Sequence, residues 1–281
     1  MTQDTRPRDD SVRVHGGDSF LPVDGASLRY RDEGQGQPVI FIHGWTLDLD
    51  MWEPQVAALS GAFRIIRHDR RGFGLSSGNP SLAHDLADLR TLCRHLRLRQ
   101  VAMVGMSQGA RVALEFARSF PAALSCLVLD GPPQMGAAGI RDIPLTDYRA
   151  LACREGIDAF RREWTRHPLT RLNTQDRRAH EILSRMIGRY PGNDLLQAPG
   201  ESMLAPAPWL PSAMRVPALV IGGELDLASR QAAAAELASR LPSAQRATIP
   251  NAGHLCNLDN PSAYNEAIRD FLARQAGPYR R

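Results

Sequence analysis

A chain of 281 residues with 43% hydrophobic and 23% charged residues can bury a sizeable core and has the composition of a globular protein, which excludes disordered and fibrous classes. The formal net charge is +4 and every basic residue is arginine, but the arginines are mixed with acidic residues along the chain and form no patch or tail, so no nucleic-acid partner is expected. Cys93, Cys126, Cys153 and Cys256 show neither C-x-x-C nor metal-type spacing, the polar start MTQDTRPRDDS is no signal peptide, and no apolar run approaches the ~18 residues of a membrane span. These features lead to the expectation of a cytoplasmic protein with a small-molecule substrate, no metal or organic cofactor and no membrane partner, with a homo-oligomer left open.

Residues 1–18 read as a flexible tail. Ser27–Arg31 then alternates polar and apolar, as a half-exposed antiparallel strand does. Pro38–Gly44 is a continuous apolar run ending in glycine, the pattern of a strand buried on both faces. Residues 63–68, 101–106, 124–130 and 217–222 repeat that form, and 245–250 is a weaker version. Helical stretches fall between them at 52–59, 81–96, 108–120, 230–241 and 261–275, several opening on Pro or Ser. Such alternation predicts a mostly parallel sheet with helices on both faces, its functional loops at the carboxyl ends of the strands. From 132 to 211 the rhythm changes. Helical patterns at 146–166 and 176–189, without a buried strand, predict a helical cap closed by Ala205-Pro206-Ala207-Pro208, leaving 19–131 and 212–276 as the core.

Gly105-Met106-Ser107-Gln108-Gly109 lies where a buried strand meets a helix. A turn that sharp projects its middle side chain above the sheet, and small flanking residues avoid collision with neighbouring elements. Ser107 is therefore the candidate nucleophile. A serine hydroxyl needs a base, and His254, on the loop after the last strand, stands at the same edge. The base in turn needs a carboxylate on its other nitrogen. Asp226, after the preceding strand, is the choice; Asp130, ending the 124–130 strand, and Glu224, on Asp226's own loop, are its rivals. An oxyanion needs two preorganised donors, assigned to the backbone N–H groups of Gln108 and Trp45. His43 is expected to pin its loop. The arginines of the cap (Arg154, Arg161, Arg162, Arg166, Arg177 and Arg178) read as solvated helix faces, with recognition of a substrate carboxylate as the alternative. Trp52, Trp164 and Trp209 are candidates for pocket lining or core.

Taken together, His43-Gly44-Trp45, Asp69-Arg70-Arg71-Gly72-Phe73-Gly74-Leu75-Ser76, Gly105–Gly109, Gly222–Asp226 and Gly253-His254 resemble, in order, the motifs of the α/β-hydrolase superfamily over residues 25–275. The wording is closest to the group of cofactor-free haloperoxidases (perhydrolases), enol-lactonases and small carboxylesterases. Gln108 stands where many of that group carry methionine, and Ala110 where a further glycine is common. The resemblance implies a serine hydrolase cleaving a small carboxylic ester or lactone through an acyl-enzyme on Ser107. A carbon–carbon bond hydrolase, lyase or cofactor-free oxygenase of the same fold is the alternative, toward which Asp130 as the acid would lean, and a non-catalytic ligand-binding receptor is a third.

Overall fold

The computed structural model describes residues 15–134, 142–196 and 214–275. Among these residues eight strands form one sheet: β1 (His15–Val23), β2 (Ala26–Glu33), β3 (Gln37–Ile42), β4 (Phe63–His68), β5 (Val101–Met106), β6 (Leu124–Asp130), β7 (Ala218–Gly223) and β8 (Ala244–Ile249). Their spatial order is β1-β2-β4-β3-β5-β6-β7-β8; β1 and β2 are antiparallel and every pairing from β4 to β8 is parallel. Flanking helices are α1 (Glu53–Leu59), α2 (Leu82–His95), α3 (Gln108–Ser119), α4 (Leu145–Glu155), α5 (Ile157–Trp164), α6 (Arg177–Arg189), α7 (Asn193–Leu196), α8 (Ala228–Arg240), α9 (Cys256–Asp259) and α10 (Pro261–Gln275). Among the described residues no helix is long and apolar enough to cross a membrane.

The strand alternation sorts the apolar residues into two layers. Val39, Phe41, Ile65, Val104, Val128 and Ile221 face one core, while Ile40, Ile42, Ile66, Met103, Leu127 and Val220 face the other, packed on α2, α3 and α8. Trp52 belongs to the first core, its ring 5.0 Å from that of Phe41.

Two elements differ from the sequence reading. Strand β1 starts at His15, inside the stretch read as a tail. Gly16-Gly17-Asp18 has no alternating pattern, and the strand owes its place to tertiary pairing. The tight Asp24-Gly25 connection, with Gly25 at φ +66, folds it back on β2, and Asp18 takes Arg29 and Arg31 as partners. The single helix expected over 146–166 is broken at Gly156, whose φ of +84 no helix accommodates, so α4 and α5 are separate rods. Asp176, read as the start of the next helix, is its N-cap, accepting from the Arg178 N–H at 2.9 Å. The Ala205–Pro208 closure and Trp209 lie outside the described residues.

α4 to α7 form an insertion between β6 and β7 that docks on the core through charge. Arg189 of α6 reaches Asp48 at 2.7 Å and Asp50 at 2.6 Å, and Arg178 and Arg185 both reach Glu53. Asp48 is buried and Arg189 is its ion-pair partner, so removing that cation strands the Asp48 carboxylate in low dielectric, whereas Asp50 keeps Arg29, Arg31 and Arg185 nearby. Arg189→Met is expected to lower unfolding stability by about 2–3 kcal/mol, read from urea midpoints; an unchanged midpoint would show the ion cluster to be without net effect.

Candidate active site

In-register pairing brings the strand ends to one edge. Ile42 pairs with Gly105, Met106 with Asp130, Asp130 with Ile221, and Gly223 with Ile249. The residues just after these positions, His43–Thr46, Ser107, Gly131, Glu224–Asp226 and Pro250–His254, therefore crowd together at the carboxyl end of the sheet.

Ser107 is half-buried at φ 52, ψ −113, a conformation a non-glycine residue adopts only under constraint and at a cost of order 1–3 kcal/mol. Close packing supplies the constraint. A Cβ on Gly105 would come 2.4 Å from the Gly109 carbonyl, and one on Gly109 would come 2.2 Å from that of Ile42. The Ser107 N–H donates to Asp130 O at 2.7 Å, while Ala110 and Arg111 donate back to Ser107 O. The N–H groups of Gln108 and Trp45 donate no hydrogen bond among the described residues, and Gln108 opens α3, where free donors and the helix dipole favour negative charge.

His254 and Asp226 are brought together. The imidazole is 3% exposed, and its Nδ1 lies 2.8 Å from Asp226 Oδ2; with the proton on Nδ1, it donates there and leaves Nε2 as acceptor. Asp226 Oδ1 accepts from the Leu227 N–H at 2.7 Å. His254 Nε2 is buried and has no hydrogen-bond partner among the described residues; no Ser107 Oγ–His254 Nε2 hydrogen bond is formed. The two residues are nonetheless neighbours across Asp130-Gly131. Ser107 is bonded to Asp130, and Gly131 at φ +51 lies so close beneath the imidazole that a Cβ there would sit 2.8 Å from Cε1.

Neither rival carboxylate meets His254. Glu224 is exposed and accepts from the Asn251 N–H at 2.9 Å, bracing the loop that leads to the histidine. Asp130 is fully buried, and neither oxygen makes an aligned hydrogen bond among the described residues, with the Cys256 thiol and Tyr264 hydroxyl as its polar neighbours. Burial, with the charge of Asp226 adding to it, pushes the Asp130 carboxyl up to about 8, so it is largely neutral at pH 7.

Supporting contacts were only partly foreseen. His43 pins its loop as expected: Nδ1 lies 2.7 Å from Gly44 O, and Nε2 accepts from the Arg70 N–H at 2.8 Å. Full burial, then the Arg70 charge, holds this imidazole well below the usual histidine range, so it is neutral. Gln108 does not present a free amide oxygen to the site. Its Oε1 accepts from Arg70 Nη1, while Arg70 Nε and Nη2 clasp Asp85 at 3.1 and 2.6 Å. The Asp69–Ser76 motif is thus joined to the first turn of α3.

Thr46 and Asp259 were not anticipated. Thr46 is a β-branched residue at φ 63, fully buried, whose hydroxyl donates to Trp45 O and accepts from Trp164 Nε1 at 2.7 Å. Trp45 Nε1 donates to Asp194 of α7 at 2.6 Å, and its ring meets Phe160, Trp164 and Tyr190. Asp259 accepts from the N–H groups of Gly253, Asn173 and Thr174, tying the histidine loop to the insertion. The insertion arginines Arg154, Arg162, Arg166, Arg177 and Arg178 are exposed, matching the helix-face reading, whereas Arg161 is half-buried and donates to Tyr190 O. Among the described residues no three His, Cys, Asp or Glu side chains gather so as to hold a metal ion.

This chain belongs to the alpha/beta hydrolase fold family, whose profile matches residues 37–261, and it is an enzyme of that hydrolase family. It is 29% identical over 269 residues to a Bacillus subtilis (strain 168) protein named putative 2-succinyl-6-hydroxy-2,4-cyclohexadiene-1-carboxylate synthase, covering 89% of this chain and 96% of that one. It is also 29% identical over 275 residues to a putative non-heme chloroperoxidase of Synechocystis, covering 87% and 94%. A solved thermophilic esterase from Thermogutta terrifontis, with malate bound, matches with a TM-score of 0.80 at 28% identity, covering 93% of this chain and 100% of that one. The expected superfamily and group are both met.

The Asp130 environment has a pH signature. Its folded pKa lies above the ordinary value of 3.8, so the native state binds this proton more tightly than the unfolded chain, and the associated stability is lost as pH rises toward about 8. Asp130→Asn, which cannot ionise, is expected to gain stability relative to the unmodified protein between pH 5 and pH 9, on the order of a few kcal/mol. Denaturant midpoints across that range measure it, and parallel curves for the two proteins would contradict it.

Proposed function

We propose that this α/β hydrolase is a serine hydrolase that cleaves a small carboxylic ester or lactone. The observation that carries the reading is the strained Ser107 at the head of α3 beside a His254 whose Nδ1 is held by Asp226 and whose Nε2 is free to accept a proton. In this reading Ser107 Oγ attacks the acyl carbon while Nε2 takes its proton, and Asp226 stabilises the imidazolium. The N–H groups of Gln108 and Trp45 receive the oxyanion. His254 then protonates the leaving alcohol, the acyl group rests on Ser107, and water activated by the same Nε2 releases the acid. Residues 132–211 act as a cap over this centre, supported by the contacts that α5, α7 and Asn173 make with the two site loops.

A second reading keeps the three residues and changes the bond broken, as a lyase or carbon–carbon bond hydrolase. The relative named as a synthase favours it. Ser107→Ala separates the two, because an activity that survives it does not pass through an acyl-enzyme.

The first test pairs short p-nitrophenyl esters with a fluorophosphonate probe. Ser107 should be labelled, and Ser107→Ala should lose labelling and roughly 10³-fold or more of turnover. No labelling together with no turnover would remove the reading. Asp226→Asn, which offers His254 an amide, should lower kcat by roughly 10³–10⁴-fold with folding intact; a kcat within tenfold of the original would mean that Asp226 is not the orienting acid.

A further inference from the structure

Two peptide units meet at Trp45, and each is gripped. The first, from Gly44 to Trp45, carries the Trp45 N–H. A trans peptide keeps C=O and N–H on opposite sides of one plane, so fixing the Gly44 carbonyl aims that N–H. His43 fixes the carbonyl. Its Nε2 accepts from the Arg70 N–H, so the proton is on Nδ1, which donates to Gly44 O at 2.7 Å. Gly44 packs so tightly on Met106, the residue before Ser107, that a Cβ would lie 2.7 Å from its Sδ. The Trp45 ring is anchored separately, by Nε1 on Asp194 and by contacts with Phe160, Trp164 and Tyr190.

The second unit, from Trp45 to Thr46, is held from the insertion. An indole N–H only donates, so Thr46 Oγ1, 2.7 Å from Trp164 Nε1, accepts there and sends its single proton to Trp45 O at 2.6 Å. No other hydrogen bond reaches this hydroxyl among the described residues. Trp164 cannot turn away, being 3% exposed and stacked on both His167 and Phe160, with ring centroids at 4.6 and 6.0 Å. Thr46 stands at φ 63, a conformation that a β-branched residue keeps only where its surroundings impose it.

We propose that Trp164 is a positioning residue for the oxyanion. Through Thr46 it holds the backbone at Trp45 so that the N–H meets the charge formed when Ser107 attacks. The proposal rests on the acyl-enzyme reading, in which the N–H groups of Trp45 and Gln108 receive that charge, and it gives the insertion a part in the chemical step. With the indole hydrogen bond gone, Thr46 is released toward negative φ, and the rotation passes to Trp45. The donor serves a charge that exists only after attack, so its loss falls on kcat and spares KM.

Trp164→Phe keeps a ring and removes the N–H, and Thr46→Val keeps the branched shape and removes the hydroxyl. Deleting an oxyanion donor outright costs about 10²–10³-fold in kcat. Loosening one should cost about tenfold, with KM held within about twofold. Thr46→Ser, which keeps the hydroxyl, should recover most of the activity. The double variant Trp164→Phe/Thr46→Val should lose no more than either single one, since both break the same link. A trifluoromethyl ketone reads the charge itself. Ser107 Oγ bonds to its carbonyl carbon, the carbonyl electron pair moves to oxygen, and the hydroxyl proton passes to His254 Nε2. Its inhibition constant should rise about tenfold in both single variants, while that of the corresponding alcohol, which forms no oxyanion, stays constant. A kcat within about twofold of the unmodified protein in either single variant, or a fall in kcat without a fall in ketone affinity, overturns the proposal. If the unmodified protein turns over no ester and Ser107 resists the fluorophosphonate, the hydrolase reading fails by itself. Relaxation of the 15N-labelled Trp45 amide still decides the positioning role. An order parameter of about 0.85 that drops in Trp164→Phe supports it, and an unchanged one overturns it. Should Trp164→Phe not fold, Thr46→Val carries the same measurements with the same outcomes.

Discussion

The abrupt turn from β5 into α3 is the constraint around which the candidate site is arranged. A left-handed serine is unfavourable by itself, and it persists because nothing nearby can relax. Gly105 and Gly109 bring the strand and helix backbones into contact with each other and with β3, leaving no volume for another arrangement. Arg70, anchored on Asp85, holds the Gln108 side chain, and through its own N–H it holds His43, which in turn holds Gly44. One buried arginine thus connects the serine turn to the loop that carries Trp45.

The insertion completes what the sheet begins. Trp164 grips Thr46, Asp194 grips Trp45, and Asp259 joins Asn173 and Thr174 to Gly253. Each of these hydrogen bonds is buried or partly buried, where the loss of one partner leaves a polar group unsatisfied and costs more than a surface contact. The ion cluster of Arg189, Asp48 and Asp50 holds the insertion at a separate point, on the turn that follows the same loop. Site geometry and insertion docking are therefore coupled through shared residues.

Electrostatics separates two carboxylates that sit near each other. Asp226 is ligated by a backbone N–H and by His254, contacts that suit an anion. Asp130 makes no aligned hydrogen bond among the described residues, has only the Cys256 thiol and Tyr264 hydroxyl as polar side-chain neighbours, and keeps its proton through neutral pH. A second negative charge behind the histidine loop is thereby avoided.

Much of this was legible in the residues. Continuous apolar runs predicted β3 to β7 because a strand covered on both faces has no polar side, and the Gly-x-Ser-x-Gly spacing placed Ser107 because only glycines tolerate such close approach. Chain order and loop position were enough to select His254. Other features have no local pattern and depend on distant partners. Strand β1 exists through its pairing with β2, and Thr46 takes its left-handed backbone in a loop gripped by a tryptophan 118 positions away. The Gln108 side chain has no local signal for its partner, which is Arg70. Chain order favours Asp226 over Asp130 without separating their surroundings. Both end or follow a parallel strand, and only the folded structure shows which carboxylate faces the imidazole and which is sealed in the core. Local sequence determined the elements and the order of the chemical groups, because periodicity and steric demand act over a few residues. Partners and protonation were decided by the tertiary structure, because desolvation and hydrogen bonding depend on what the rest of the chain brings into contact.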